Sequence, residues 1–295
     1  MTRLFVVDLD ETLLHLGSLP HNTLPALRRI MFSGAPVTIA TARGFRAAIS
    51  PLADAIPRLP IIALNGAVLA SLNETETTVE AIEPRLVAPV CRLGAELGAT
   101  PCLLETDGRN ESVFVSARGD AFTDWSINAA VYFKAQDVIR DRSPTIAERA
   151  RIVRVVFCTT VPIAQQLDRR VKEMYPALTT AAIWSRDQPG FAWLEIGGAT
   201  ATKAHGVANV ASLLKLTMAE VVYYGDAGND LAAMTMVGEA VAVSNADAEV
   251  LKIADRIIGS AESGAVVVDI LKQLGMPSQE HIEQKASADA ARPRR

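Results

Sequence analysis

"FVVDLDETLL" (residues 5–14) is the stretch whose reading decides the fold. Phe5, Val6 and Val7 form an apolar run, and residues 4–9 read as a short buried strand. Asp8 and Asp10 then arrive two positions apart, with Thr12 two further on. Carboxylates are costly to bury unless something pairs with them. A buried strand that ends on two acids therefore asks for a positive charge at its C-terminal end.

Outward from this stretch, strand and helix alternate. Thr23-Leu24-Pro25 starts a helix, with Thr23 as its cap and Pro25 in its first turn, and Gly34 stops it. "APVTIATAR" (35–43) is a second strand, followed by a helix through about 55. "LPIIALNGA" (59–67) is a third strand ending in a turn. Each strand is an unbroken apolar run, the pattern of a parallel sheet covered on both faces.

The rhythm changes after about residue 70. "GAVLASLNETETTVEAIE" reads as a hairpin with a polar turn. A helix over 85–98, strands at 100–106, 111–116 and 150–160, a helix over 162–175, and strands in "LTTAAIWS" and "FAWLEIG" follow. Residues 120–150 carry no clear pattern. This middle block has antiparallel character and reads as a separate α+β domain over 71–190. The first rhythm then returns: a helix over 202–216, a strand in "VVYYGD" (221–226), a helix over 229–238, short strands at 239–246 and 255–260 with a helix between, and a last helix over 263–274. The core is thus discontinuous, 1–70 and 191–275. The tail, 276–295, has little to bury and reads as disordered.

In open parallel sheets, ligands bind outside the C-terminal ends of the strands. Here those ends carry Asp8 and Asp10, then Thr41 and Arg43, then Asn65-Gly66, and finally Gly225-Asp226 with Asn229-Asp230 just beyond. If these strands are neighbours, three or four carboxylates converge, and like charges at close range repel. A divalent cation relieves that conflict, and hard oxygen ligands suit Mg²⁺. A single DxD is more often a turn or cap than a site, and Gly, Asp and Asn are turn residues in any protein. It is the ordered set of DxDxT, Thr-x-Arg, a lysine and GDxxND that carries the argument.

Composition excludes other classes. The 295 residues are 49% apolar and 21% charged with a net charge of −4, so nothing global points to nucleic acid. Apolar runs fall short of the ~20 residues of a membrane span. Asp8 comes too early for a signal peptide. Cys91, Cys102 and Cys158 form no CxxC pair or zinc pattern and read as free thiols in a reducing cytoplasm. His15, His21, His205 and His281 show no ligand spacing. No GxGxxG follows the first strand, against a dinucleotide-binding oxidoreductase.

Taken together, the motifs resemble the haloacid dehalogenase (HAD) superfamily of phosphohydrolases. "DLDET", "VTIATAR", Lys203 in "GGATATKAHG", and "YYGDAGND" are similar to its four motifs; "LNGAVL", "LEIGGATATK" and "SNADAEVLKIAD" are similar to its Cof-like branch. The resemblance covers about residues 3–274. It implies an α/β fold, a Rossmann-like core with a parallel sheet plus an inserted α+β cap. It further implies a Mg²⁺-dependent phosphatase of small phosphorylated metabolites, sugar phosphates among them. Asp8 is then the nucleophile that forms an aspartyl-phosphate, and Asp10 the general acid and base. Asp8, Asp226 and the backbone carbonyl of Asp10 hold the metal, with Asp230 in support. Thr41, Lys203 and Asn229 hold the phosphoryl oxygens. Asn65 is a candidate substrate contact. Arg43 either touches substrate or pairs with a carboxylate, and Thr12 braces the loop.

The branch carries glycine where Glu11 and Ala42 stand, and glycine permits a positive φ and close backbone approach. Both departures therefore bear on loop shape. Trp184 and Trp193 are read as core or as pocket lining, and "ETDGRNESV" (105–113) as a solvated turn or a substrate contact. The same motifs fit a phosphomutase, and a non-catalytic phospho-acceptor is the third reading. Asp10 argues against the last, because a stable phospho-aspartate needs no acid for a leaving group.

Overall fold

The computed structural model describes residues 3–21, 23–72, 77–116, 121–128, 137–141, 151–185 and 188–277. The expected tail from 278 onward, His281 and the polar turn at 73–76 lie outside the described residues. The chain divides into two compact units, one of Met1–Ala40, Ile49–Leu59 and Val207–Arg295, the other of Thr41–Ala48 and Pro60–Gly206.

The first unit is built on a five-stranded sheet. Its strands run in the order Arg256–Ile258, Glu239–Val243, Val221–Gly225, Leu4–Val7 and Val37–Ile39, and every pairing is parallel. Leu4–Val7 and Val221–Gly225 are buried at every position, which is why both read as continuous apolar runs. They are adjacent, with Val7 opposite Tyr224, and Asp8 N extends the ladder by donating to Tyr224 O at 3.0 Å. From this pair the chain departs to one edge through Val37–Ile39 and to the other through Glu239–Val243. That reversal is the switch point where open α/β sheets bind ligands.

Local chemistry explains the helix limits. Thr23–Phe32 is helical, and Gly34 at φ 82° ends the segment. Thr23 does not cap this helix: its hydroxyl donates to Pro20 O at 2.7 Å. The helix expected over 229–238 shrinks to Leu231–Met234. Asp230 turns its side chain back toward the preceding strand, and Met236 N bonds Ala233 O, a tighter turn than the α-helix allows.

The second unit holds a six-stranded sheet in the order Thr179–Trp184, Phe191–Gly197, Ile152–Thr160, Pro101–Thr106, Glu111–Ser116 and Asp137–Asp141, antiparallel except for its last pair. The helices Pro84–Glu96 and Val161–Met174 cover one face, and Val155, Phe157, Leu194 and Ile196 pack there with Val90, Leu93, Leu167 and Val171. Strand alternation sends Arg154, Val156, Trp193 and Glu195 to the other face. Residues 121–128 and 137–141, which the sequence left without a clear pattern, are a helix and the edge strand.

The third strand departs from expectation. Ile61–Ala63 does not join the parallel sheet; it pairs antiparallel with Val68–Ala70, which pairs with Thr77–Val79. Its remaining edge bonds the segment after the second strand instead: Thr41 N donates to Ile62 O at 2.8 Å. Residues 41–48 and 60–70 thereby belong to the same unit as the inserted block.

Candidate active site

In the first unit, Asp8, Asp226 and Asp230 place carboxylate oxygens within 4.8 Å of one another, all buried. Asp8 directly follows the strand Leu4–Val7, and Asp226 directly follows its neighbour Val221–Gly225. Sheet pairing alone brings them together.

Asp230 is heavily bonded from within the chain. Its Oδ2 accepts from the backbone N–H of Asp226 and of Ala227, each at 3.1 Å, and its Oδ1 accepts from Tyr223 OH at 2.6 Å. Burial, followed by the charges of Asp230 and Asp8, pushes the Tyr223 phenol well above its ordinary value, so it remains a donor. Asp230 thus shapes the turn after the strand. Thr12 donates to Asp226 Oδ1 at 3.0 Å. Asp10 is exposed beside this buried cluster and bridges to Leu14. Asn229 is half-buried on the same turn. Tyr223 was not foreseen from the sequence, where it reads as one more apolar strand residue.

The donor set fits a hard divalent cation. Three carboxylates this close and this buried are mutually repulsive, and a cation of the magnesium type binds through a few carboxylates plus water.

The loop after Asp10 shows what Glu11 does. Its φ is 57°, the left-handed region that glycine tolerates best. The side chain compensates locally: Glu11 Oε1 accepts from Leu16 N at 3.1 Å, and Oε2 lies 3.2 Å from His15 Nδ1. Asn245 Nδ2 also donates to Glu11 O at 2.8 Å. Ala42 is not among the residues with positive φ.

In the second unit, Thr41 and Lys203 are both buried. Thr41 Oγ1 accepts from Arg43 N at 3.1 Å, and Thr41 O accepts from Asn65 N at 2.9 Å. Lys203 opens the helix Lys203–Leu213, and its neighbour Thr202 packs against Gly66, where a Cβ would overlap Thr202 O. Backbone contacts therefore connect the segments of Thr41, Asn65 and Lys203. Arg43 Nη1 donates to Ala47 O at 3.2 Å. Asn65 is buried and donates Nδ2 to Glu195 Oε2 at 2.6 Å.

The "ETDGRNESV" segment is a turn whose Asp107 Oδ1 accepts from the N–H groups of Arg109 and Asn110, both at 2.8 Å. Those bonds, Asn110's first, hold the Asp107 carboxyl below its ordinary value. Arg109 Nη2 donates to Ser71 O at 2.8 Å, and its guanidinium lies over the Phe45 ring. Trp193 is core, stacked with Trp125 and close to Phe122, whereas Trp184 is half exposed. The three cysteines are free thiols; burial pushes that of Cys91 up to about 11. Among the described residues, no helix is long and apolar enough to cross a membrane.

Comparison with known proteins agrees with this fold. No curated protein sequence matches the chain. Solved structures match over nearly its whole length. BT1666 from Bacteroides thetaiotaomicron, described among the phosphatases of the haloalkanoate (HAD) enzyme superfamily, is 24% identical with a TM-score of 0.74, covering 93% of this chain and 96% of its own. BT4131, described as a subclass IIB sugar phosphatase, is 20% identical with a TM-score of 0.72, covering 93% and 99%. A haloacid dehalogenase-like hydrolase from B. subtilis is 18% identical with a TM-score of 0.76, covering 91% and 99%. At these identities the likeness establishes the fold. The sequence profile of haloacid dehalogenase-like hydrolases matches residues 5–270, from the strand that carries Asp8 to the last helix, and the chain belongs to that family.

Proposed function

We propose that the protein is a Mg²⁺-dependent phosphatase that hydrolyses small phosphorylated metabolites, sugar phosphates foremost, through an aspartyl-phosphate on Asp8. The observation that carries this reading is the buried cluster of Asp8, Asp226 and Asp230 at adjoining strand ends. BT4131, a sugar phosphatase of the same fold, supports the substrate class.

Asp8, Asp226 and the Asp10 carbonyl would hold the cation, and Asp230 and Thr12 keep that set in shape. When bound, the cation neutralises charge on the phosphoryl oxygens. The chain supplies the rest. An Asp8 oxygen attacks phosphorus as the bond to the leaving oxygen breaks. Exposed Asp10 gives a proton to that oxygen, then takes one from the water that hydrolyses the aspartyl-phosphate. Thr41, Lys203 and Asn229 hold the phosphoryl oxygens, with lysine serving as a compact point charge. Arg43 contacts the remainder of the substrate, whereas the Asn65 side chain turns to Glu195. The inserted block sets substrate choice.

The test is a panel of phosphorylated metabolites assayed for inorganic phosphate with Mg²⁺ present. Stoichiometric phosphate release without isomerised product is expected. An isomerised phosphate ester without release would establish a mutase instead. A panel with no turnover would overturn the reading.

A further inference from the structure

A turn in the second unit is strained, and a buried ion pair holds it. Leu64, Asn65 and Gly66 have φ values of 47°, 50° and 93°. Two of the three carry side chains, which the left-handed region disfavours, and such backbone persists only where its surroundings over-determine it. Leu64 N donates to Arg43 O at 2.8 Å, and Asn65 N donates to Thr41 O at 2.9 Å. The Leu64 carbonyl accepts from Arg154 Nη2, which also reaches Ala201 O at 3.3 Å. Asn65 Nδ2 donates to Glu195 Oε2 at 2.6 Å.

Arg154 and Glu195 stand on adjacent strands, with Arg154 opposite Gly197 and Glu195 opposite Val156, so they are diagonal neighbours on one face. Arg154 Nε lies 3.7 Å from Glu195 Oε2, and both residues are 2% exposed or less. Gly197 makes the room, since a Cβ there would overlap the guanidinium. A buried ion pair is weak evidence for stability; its best-attested use is to specify one geometry among several. Here Arg154 reaches the chain on both sides of the inserted block, at Leu64 ahead of it and at Ala201 beyond it. Thr41 is bonded to that turn, and Lys203 lies two residues past Ala201.

We propose that Arg154 and Glu195 are positioning residues that lock the 64–66 turn, and with it the spacing of Thr41 and Lys203, in the geometry that grips a phosphoryl group. This rests on the phosphatase reading above. The pair touches no reacting atom; it acts through the turn.

The test uses the full-length protein, with p-nitrophenyl phosphate as substrate and inorganic phosphate as competitive probe. Arg154→Met keeps length and apolar volume. It should raise both KM and the inhibition constant of phosphate about ten- to a hundredfold, the usual worth of one well-aligned hydrogen bond to a charged group, with a smaller change in kcat. Arg154→Lys should recover part of the loss. Glu195→Gln, which can still accept from Asn65, should raise both constants by a smaller factor, and decides the matter if Arg154→Met does not fold. A purely structural pair would lower the melting midpoint yet leave both constants unchanged well below it, and that result overturns the proposal. Lys203→Ala is the reference. If it weakens phosphate inhibition while the Arg154 and Glu195 variants do not, the positioning role alone fails. If Lys203→Ala leaves phosphate inhibition intact, the phosphate-binding reading fails, and the proposal with it.

Discussion

Thr12 donates its hydroxyl to Asp226 Oδ1 at 3.0 Å across 214 positions of sequence, in a buried setting. The bond joins the loop after the first strand to the end of its neighbour and orients one oxygen of a candidate metal ligand. Thr12→Val keeps the shape and removes the donor. Loss of such an outer partner typically costs ~10–100-fold in metal affinity. The Mg²⁺ concentration that gives half-maximal activity should therefore rise by about that factor. An unchanged Mg²⁺ titration would show that Asp226 needs no such brace.

Asp8→Asn should abolish turnover, leaving less than about a hundredth of wild-type activity, because an amide is a poor nucleophile. Asp10→Asn should slow alkyl phosphates by ~10²–10⁴-fold, the usual worth of a general acid. Its effect on p-nitrophenyl phosphate should be smaller, since that leaving group needs less protonation. Equal losses on both substrates would remove Asp10 from the first step.

Chelation with EDTA should silence the enzyme, Mg²⁺ should restore it, and Ca²⁺ should not, because calcium favours more ligands at longer range. Binding to the folded state alone also raises stability, by ~2.7 kcal/mol at a hundred times the dissociation constant. The melting midpoint should accordingly rise with Mg²⁺ in the wild type and stay flat in Asp226→Ala. A wild-type midpoint indifferent to Mg²⁺ would count against the cluster as a metal site.

Glu111 gives a pH signature. Burial pushes its carboxyl up to about 7 from an ordinary value of 4.5, against the opposing hydrogen bond from Phe45 N at 2.8 Å and the charge of Arg46, while Asp107 adds to the rise. Its Oε2 is buried without a hydrogen-bond partner. Between those values the folded protein holds a proton that the unfolded chain has released. This group's contribution to stability therefore falls as pH rises from about 4.5 to about 7, then levels off. The total is about 3 kcal/mol at ~1.4 kcal/mol per unit. Glu111→Gln removes the titration and should flatten the pH dependence of unfolding free energy across that window. An unaltered slope would mean that Glu111 ionises normally.

Gly66→Ala should destabilise the protein by about 1–3 kcal/mol, because the φ of 93° disfavours any side chain and the added Cβ would overlap Thr202 O. Chemical denaturation measures the loss. A midpoint within error of wild type would show that the turn relaxes freely.

Much of this protein follows from local sequence. Four apolar residues before Asp8, and VVYY before Gly225-Asp226, are runs rich in β-branched and aromatic residues, of strand length and bounded by turn residues, the pattern of strands buried on both faces. The acids after them mark the strand ends, and the alternation of strands and helices sets the class. The backbone at Glu11 and Ala42 was not legible locally: the family resemblance marks both as places of glycine, yet only Glu11 takes a positive φ. Tertiary structure decided what depends on which strands are neighbours. Adjacency of Leu4–Val7 and Val221–Gly225 brings Asp8 to Asp226, two residues 218 positions apart in number, and no local pattern encodes that pairing. The same holds for Tyr223, whose phenol becomes a partner for Asp230 only once its strand is placed. It holds for Ile61–Ala63, an apolar run that fits a parallel sheet yet finds its partner in the hairpin that follows. Arg154 and Glu195 read as charges in otherwise apolar strands, and only the diagonal register of two antiparallel strands makes them a buried pair. Periodicity reports how each segment meets solvent, whereas pairing is settled by the competition among all the segments for burial and hydrogen bonds.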